Sequence, residues 1–591
     1  MRRWILREND ANIDLMAGVL KISPILCRIL ANRGIRTKNT AIRYLNPILG
    51  YLHDTAKMLG IAEAVDIIRH GIAEGAKFCI FGDYDVDGVS ATVILRRVLA
   101  QLGADCGHYI PHRIHEGYGL NLAAIEQIAD EYQVLIAVDN GISAVAEVAR
   151  AAELGLKVII LDHHQPATEA GAEILPPAHA IINPKQAACP YPFKELCAAG
   201  IAYKFALHLC EEFGKSFEAA GEALIFATIA TFCDVVDLVD ENRIIAKNGL
   251  RLLTRQNTEN SINIGLNALV KARNLEYNSI DDFAIGFILG PCINASGRLD
   301  SAGLAVRLFL SEDEAEAEEL ADKLAALNDE RKDLCAKFVD EAIKNLPEDL
   351  DDVPVIYIPE IHESISGIVA GRIKEHTGRP TLVIARSGEV AKGSARSIEA
   401  YNIFEEMQKC KDLFLRFGGH KMAAGVTLPI ENIDLLRKRL NAASQLAPED
   451  FLPIIFGEAW LDLDEITFEL AQEIAALSPF GKANREPAFF TRGIFTERAE
   501  IIGKSGETLR LTFRSEQGRK ITAVAFKSVE KFIKLLEENY SEGVAQGFAA
   551  RKTPNLHIKL DIAYNIRINT YMGNSSLQLV IMDFKGGQYE S

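Results

Sequence analysis

Three short apolar runs, each stopping at a cluster of acids or histidines, constrain this chain more than any other feature. Lys77–Gly82 runs into Asp83, Asp85 and Asp87 within GDYDVDG. Val134–Val138 ends at Asp139 within VDNG, and Lys157–Leu161 ends at Asp162, His163 and His164 within LDHHQ. Helical patterns lie between them, at Val89–Leu102 and Ala144–Leu154. Short apolar strands alternating with helices predict an α/β fold with a parallel, doubly wound sheet. In such a sheet the ligand crevice lies outside the carboxyl ends of the strands. The three clusters, scattered in sequence, are therefore expected to converge.

Carboxylates gathered in a crevice cannot all stay ionised unless positive charge sits among them. One or two divalent cations supply that charge. Mixed carboxylate and imidazole donors suit Mn2+ or Mg2+, the histidine tilting the choice toward manganese. Two ions would clamp the attacking and leaving oxygens of a phosphoryl group and supply hydroxide near neutral pH. Plainer readings compete. An acidic loop ahead of a helix can simply cap it, which is the bland account of Asp87. DxDxDG also opens an EF-hand loop, but that loop needs a preceding helix and a glutamate at its twelfth position, where this chain has Ile94. Asp234, after the apolar helix Ala223–Cys233, is either a further ligand or a surface boundary.

The rest of the chain divides by pattern. Residues 1–50 read as helical and end at Asn46-Pro47. Residues 311–350 are rich in Glu, Asp, Lys, Ala and Leu and contain no glycine, which predicts a long solvated connector helix. A smaller α/β unit follows, with strands at Val353–Ile358 and Thr381–Ala385 around a helix at Ser366–Glu375. Donors suited to phosphate are Asn294, Ser296 and Arg298 in NASGR, then Lys392, Ser394, Arg396 and Ser397, and the backbone at Gly418, Gly419 and His420. A turn with a surface arginine and a solvated edge strand are the plain alternatives for the first two groups. From about residue 455 strands dominate. Leu509, Leu511 and Phe513 alternate with polar residues, and one amphipathic helix near Val529–Glu538 interrupts the strands, which predicts an OB-fold barrel. Arg510, Arg514, Arg519 and Lys520, with Tyr564 and Tyr571 as stacking platforms, offer a basic groove for a single strand. A solvated barrel face is the competing account.

Composition bounds these readings. The 591 residues suffice for three or four domains, and 48% hydrophobic with 25% charged residues is ordinary for globular chains. A net charge of −17 counts mildly against a nucleic-acid partner, although the local field decides binding and bound cations invert an acidic cleft. Ten cysteines without a C-x-x-C pair read as free thiols of a reducing compartment. MRRWILREND lacks the apolar core of a signal peptide, and no apolar run is long enough to span a bilayer, so a soluble cytoplasmic protein is expected.

GDYDVDG, VDNG, LDHH and FGGH, with INASGRL, KGSARS and SPFGKANREP, together resemble the RecJ branch of the DHH phosphoesterase superfamily over nearly the whole chain. The resemblance implies an N-terminal helical extension (1–50), a DHH catalytic domain (51–310), a connector helix (311–350), a DHH-associated domain (351–450) and an OB-fold nucleic-acid-binding domain (455–591). It implies that Asp83, Asp85, Asp87, Asp139, His163 and Asp234 hold two Mn2+ or Mg2+ ions, with Asp139 bridging. His164 and Arg298 would engage the scissile phosphate, and Arg372, Arg396, Ser397 and His420 the terminal nucleotides. The implied reaction is 5′-to-3′ removal of mononucleotides from single-stranded DNA, in DNA repair and recombination. Expected partners are single-stranded DNA, a single-strand-binding protein and a helicase, with no membrane; the sequence leaves the oligomeric state open, a monomer being favoured. Cys292, Ala395 and residues 361–367 depart from the pattern of the branch. Two rival functions stand beside this one: a phosphodiesterase for short oligoribonucleotides or cyclic dinucleotides, and a catalytically inactive single-strand-binding replication factor.

Overall fold

Residues 48–451 form one compact unit, and residues 1–47 with 452–591 form another. The structure, a computed structural model, describes the chain except residues 1, 113–115, 118, 170, 258–260, 300–302, 552–555, 572, 588–591 and the side chain of residue 571.

In the first unit the strands Asp105–Tyr109, Lys77–Phe81, Val134–Val138, Lys157–Leu161 and Ala180–Ile182 lie side by side in that order, all parallel. Along the chain this is second, first, third, fourth, fifth. The connections therefore leave the Lys77–Phe81 strand in opposite directions, and a crevice opens between its end and that of Val134–Val138. Strand alternation splits the core in two. Phe78, Ile80, Ile136, Val138, Ile159 and Leu161 pack with the helices Val86–Leu102 and Ala198–Glu212. Cys79, Phe81, Leu135, Ala137, Val158 and Ile160 face the helices Leu122–Ala129 and Val145–Glu153. Burial on both faces explains why these strands are continuous apolar runs.

The connector is a single helix, Glu314–Lys344. It is not solvated all round as its composition suggested: Ala317, Leu320, Ala321, Leu324, Asn328, Cys335 and Phe338 are among its buried residues. Small alanines let it lie against the catalytic helices, and its far end joins the core of the next sheet. That sheet runs Arg416–His420, Ala423–Pro429, Val390–Arg396, Thr381–Ser387, Val355–Tyr357, with only the last pair parallel. Val390–Arg396 is thus an interior strand, not a solvated edge. Ala391 and Ala395 enter the core, whereas Lys392, Ser394 and Arg396 fall on the face covered by the helix Glu363–Thr377. The departure at Ala395 is therefore a core residue, as is Cys292, and His362 is the N-cap of Glu363–Thr377.

In the second unit five strands close a barrel: Phe489–Ile502, Thr508–Arg514, Lys520–Ala525, Asn574–Gly586, Lys559–Tyr571 and back to the first. The helices Val529–Asn539 and Glu542–Ala549 fall between the third and fourth strands in sequence, and the third and fifth pair in parallel, which is the OB-fold topology. The opening segment has three helices, Ile13–Leu20, Pro24–Asn32 and Lys38–Leu45, as its pattern suggested. It also has a strand, Arg3–Leu6, which pairs in parallel with Ile454–Gly457. All ten cysteines are free thiols, nine of them buried. Among the described residues, no helix is long and apolar enough to cross a membrane.

Candidate active site

The site grows out of the strand ends. After Phe81 the chain turns through Asp83 and Asp85 into the helix Val86–Leu102. Asp85 caps that helix, its Oδ1 accepting from the backbone N–H groups of Asp87 and Gly88 at 2.9 and 3.1 Å. The capping role considered for Asp87 thus belongs to Asp85. Asp87 points elsewhere, and its two oxygens accept from the N–H groups of Ala198 and Ala199, both at 2.7 Å, at the start of another helix. Asp139 follows its strand with φ +64°, a left-handed conformation that costs a non-glycine residue about 1–2 kcal/mol. Asn140 ties the two strand ends across the crevice by donating to Val138 O at 2.9 Å and Phe81 O at 3.4 Å.

The third cluster is organised by Asp162. It accepts from the backbone N–H groups of His163 (2.7 Å), His164 (3.0 Å) and Ile142 (3.0 Å), and from His164 Nδ1 at 2.8 Å. This fixes the His164 ring and sends His163 inward. His163 Nε2 lies 3.2 Å from Asp139 Oδ1 and 3.7 Å from Asp87 Oδ2, and its Nδ1 lies 3.8 Å from Asp234 Oδ2. Asp234 arrives from the C-terminal end of the buried helix Ala220–Cys233 and belongs to the cluster. Three sets of donors fall within 4.8 Å of one another: Asp83, Asp85 and Asp139; Asp87, His163 and Asp234; Asp139, His163 and His164.

The electrostatics suit cations. Burial pushes the Asp139 carboxyl well above its usual range, helped by the charges of Asp87, Asp85, Asp83 and Asp162. Burial does the same to Asp87, helped by Asp234 and Asp85 and opposed by the two backbone donors. Burial and the neighbouring His164 push His163 down to about 3, leaving a neutral imidazole, the form that ligates metals. Burial opposes the charged form of His164, but its hydrogen bond to Asp162 and the surrounding carboxylates outweigh this and raise it. Hard oxygen donors with one neutral imidazole make a set that fits Mn2+ or Mg2+, and a divalent ion would reverse the repulsion on Asp87 and Asp139.

NASGR is not a turn. It lies in the helix Gly290–Leu299, which packs on the acidic loop: Asn294 Oδ1 accepts from Val86 N at 3.2 Å, and a Cβ at Gly297 would stand 2.6 Å from Tyr84 O. Asn294 therefore shapes the loop. Ser296 is buried and donates to Ile293 O at 2.8 Å, so it is not presented to a nucleic acid. Arg298 reaches the associated domain, donating to Ser364 O at 2.5 Å.

On the associated domain, Arg396 is the informative residue. It lies against the second turn of Glu363–Thr377, where a Cβ at Gly367 would meet its Nη2 at 2.7 Å. Its hydrogen bond is to a backbone carbonyl, and among the described residues no carboxylate pairs with it. Burial lowers its pKa from the ordinary arginine value. A guanidinium without a carboxylate partner has donors suited to an anion. Ser397 differs from expectation: it is buried and donates to Tyr401 O at 2.6 Å. Arg372 is exposed and pairs with Glu375 at 3.3 Å. Gly418, Gly419 and His420 form the exposed edge strand, and Gly418 lines a cavity of about 390 Å3 with Ser366, Lys392, Ser394 and Arg416. Sequence reasoning passed over Arg416 because a lone arginine before a glycine pair carries no local signal.

The barrel corrects the groove read from its sequence. Tyr564 is buried and bonds Thr491 at 2.8 Å, so it stacks on no base; the side chain of Tyr571 lies outside the described residues. Arg514 and Lys520 are neutralised by Glu497 at 2.7 and 3.0 Å, Arg510 lies 3.9 Å from Glu500, and Arg519 donates to Leu463 O.

Comparison with known proteins follows the same divisions. Residues 77–231 match the DHH family N-terminal domain, residues 351–445 the DHHA1 domain and residues 458–583 the RecJ OB domain. The single-stranded-DNA-specific exonuclease RecJ of Bacillus subtilis is 36% identical, with 98% of this chain and 70% of that one aligned. The protein of the same description from Escherichia coli is 30% identical over 97% of each chain. Among solved structures, Thermus thermophilus RecJ in complex with Mn2+ matches with a TM-score of 0.80 at 27% identity, covering 99% of this chain and 80% of that one. Its Mg2+ complex matches with a TM-score of 0.74 at 26% identity, covering 99% and 79%.

Proposed function

Because this chain belongs to the RecJ family of single-stranded-DNA-specific exonucleases, we propose that it is a metal-dependent exonuclease that removes mononucleotides from single-stranded DNA, 5′ to 3′. The observation that carries this reading is the overlap of the donor sets in Asp139 and His163, at the switch point of a parallel sheet. Asp83, Asp85 and Asp139 would hold one ion, and Asp87, His163 and Asp234 a second. When bound, the two ions supply Lewis acidity toward the phosphoryl oxygens and hydroxide near neutral pH.

The chain's own residues do the rest. His164, its ring set by Asp162, donates from Nε2 to a phosphate oxygen. Arg298 presents a fork to the same phosphate as charge develops on it. Arg396 takes a neighbouring phosphate, and the contact between Arg298 and Ser364 sets the two grips relative to each other. Arg372, Gly418, Gly419 and His420 guide the following nucleotides, with Asn294, Ser296 and Ser397 as supports of these elements. The family supports a role in DNA repair and recombination. We further assign a cytoplasmic chain, a monomer being favoured, that meets a single-strand-binding protein and a helicase on its DNA.

The decisive test uses DNA labelled at either end, with Mn2+, Mg2+ or EDTA, on the parent and on Asp139→Asn. Asparagine tolerates left-handed backbone better than alanine, so it removes the charge with the least strain. Mononucleotide release from the 5′ end of single strands, abolished in the variant, is expected. Cleavage surviving in Asp139→Asn would sink the assignment.

A further inference from the structure

Asp87 and Asp234 stand on either side of His163, 3.7 Å from its Nε2 and 3.8 Å from its Nδ1. Neither is placed by its own element alone. Asp87 is fixed by the N–H groups that open the helix Ala198–Glu212, whose N-cap, Cys197, supplies no side-chain acceptor. Asp234 follows the helix Ala220–Cys233 and begins the segment that leads into the helix Asp240–Leu253. Two non-glycine residues there have left-handed backbone, Val235 at φ +56° and Asp240 at φ +41°. A β-branched residue rarely adopts such a φ, so the segment keeps its path only while something outside it holds it.

Asn242 ties the two segments together. Its side chain is fully buried, and Nδ2 donates to Glu195 O at 2.5 Å and to Asp237 O at 3.0 Å. Glu195 lies three residues before Ala198, and Asp237 three residues after Asp234. One amide thus clamps the segment that grips Asp87 to the segment that carries Asp234. Its Oδ1 is buried with no partner among the described residues, a cost that a residue kept for packing alone would not carry. The neighbouring Glu241 repeats the link. Lys204, on the helix Ala198–Glu212, meets Glu241 Oε1 at 2.8 Å, and the Tyr191 hydroxyl donates to Oε2 at 2.5 Å, all three side chains being buried. Such a pair adds little net stability, because desolvation offsets its attraction. It tolerates no slip, however, since a displaced partner leaves a buried charge alone.

We propose that Asn242 is a positioning residue for the second cation, setting Asp87 and Asp234 relative to each other across His163. The inference rests on the two-metal reading of the site and adds the group that keeps two of its donors in register. Asn242 touches neither substrate nor cation; it acts through two backbone carbonyls. Divalent cations need donors held to within about 0.5 Å. A slip of either segment therefore opens the set Asp87, His163 and Asp234 and leaves Asp83, Asp85 and Asp139 as they are. A plain structural account makes Asn242 one more tie between the helices Ala220–Cys233 and Asp240–Leu253. Thr228 is such a tie: it is buried, and its Oγ1 lies 2.8 Å from Leu224 O and 3.0 Å from Ile245 O. It joins the same two helices, and its bonds reach neither segment.

Mn2+ titrated into the full metal-free chain, with the free ion counted by electron paramagnetic resonance, tests this without turnover. The parent should take up two ions. Asn242→Ala should keep one at parental affinity and bind the other about tenfold or more weakly, the usual scale for groups that hold metal ligands in place. Asn242→Ser, with one short donor in place of two, should weaken the same ion by less, and it carries the test should the alanine chain not fold. Thr228→Val should melt below the parent in EDTA and keep both ions. The Mn2+ needed for half-maximal cleavage of oligo(dT) should rise in Asn242→Ala by the same factor, with KM for the oligonucleotide unchanged. Two ions at parental affinity in the Asn242 variants would overturn the proposal. Equal weakening in Thr228→Val would also overturn it, since a loss common to both ties is structural. A parent that takes up no Mn2+ would sink the two-metal reading and this inference with it, whereas two tight ions in parent and Asn242 variants alike would sink this inference alone.

Discussion

The catalytic sheet and the barrel each have five strands, yet they hold their polar residues in opposite ways. In the sheet, chemistry sits at strand ends, where the backbone leaves the ladder and side chains from neighbouring strands must meet. Acids there are packed within ligand distance of one another, and Asp139 is held in a strained backbone to join them. In the barrel, polar residues sit along strand faces, where each has a cross-strand neighbour. Cations along its strands are met by glutamates across the ladder, as Arg514 and Lys520 are by Glu497 and Arg510 by Glu500. A strand end thus concentrates like charge by topology, whereas a strand face does so only when the partner strand supplies no counter-charge.

The comparison is tested most severely through the metal cluster. Saturating Mn2+, at about a hundred times its dissociation constant, should stabilise the parent by about 2.7 kcal/mol over EDTA, read as a rise in Tm. Asp139→Asn should lose nearly all of that rise. In EDTA it should melt no lower than the parent, because a buried carboxylate crowded by four others does not hold the fold together. A parent indifferent to Mn2+ would break the claim that the crowding exists for cations. Next in size, Arg396→Ala should lower kcat/KM on single-stranded DNA by about tenfold, chiefly through KM, since a charge-assisted phosphate contact is worth about 1.5–3 kcal/mol. An unchanged KM would remove Arg396 from the substrate path. Ser397→Ala should cost about 1 kcal/mol in denaturant unfolding and leave KM alone, its hydroxyl being used on Tyr401. The smallest effect is expected for Arg514→Gln, less than about twofold in affinity for oligo(dT), because Glu497 already claims that charge. A large loss there would show that the barrel's paired cations still bind DNA.

Much of the catalytic site was legible because its signals are local. Apolar runs mark the strands, and the acid after each run marks its end. Asp234 was harder, since a charge closing a buried helix reads equally well as a surface boundary, and its membership is decided by His163 lying 3.8 Å away. Asp162 is named by the same motif, but its work as organiser of both histidines depends on the Ile142 backbone folding back over it. The polar residues of NASGR and KGSARS look alike in sequence. Only packing separates Arg298 and Arg396, whose guanidiniums reach the helix Glu363–Thr377, from Ser296 and Ser397, whose hydroxyls close short-range bonds to Ile293 O and Tyr401 O.

What this sequence determined by itself was the order of its domains, the sheet that gathers its acids and the cation chemistry those acids demand, because period and strand-end composition act over a few residues. What the tertiary structure alone decided was which donors remain available once neighbours have taken theirs. Trp4 meets Phe490, and Glu497 meets Arg514, through pairings between strands that no local pattern encodes. Availability is a property of the partner across the ladder, and the partner is chosen by the fold.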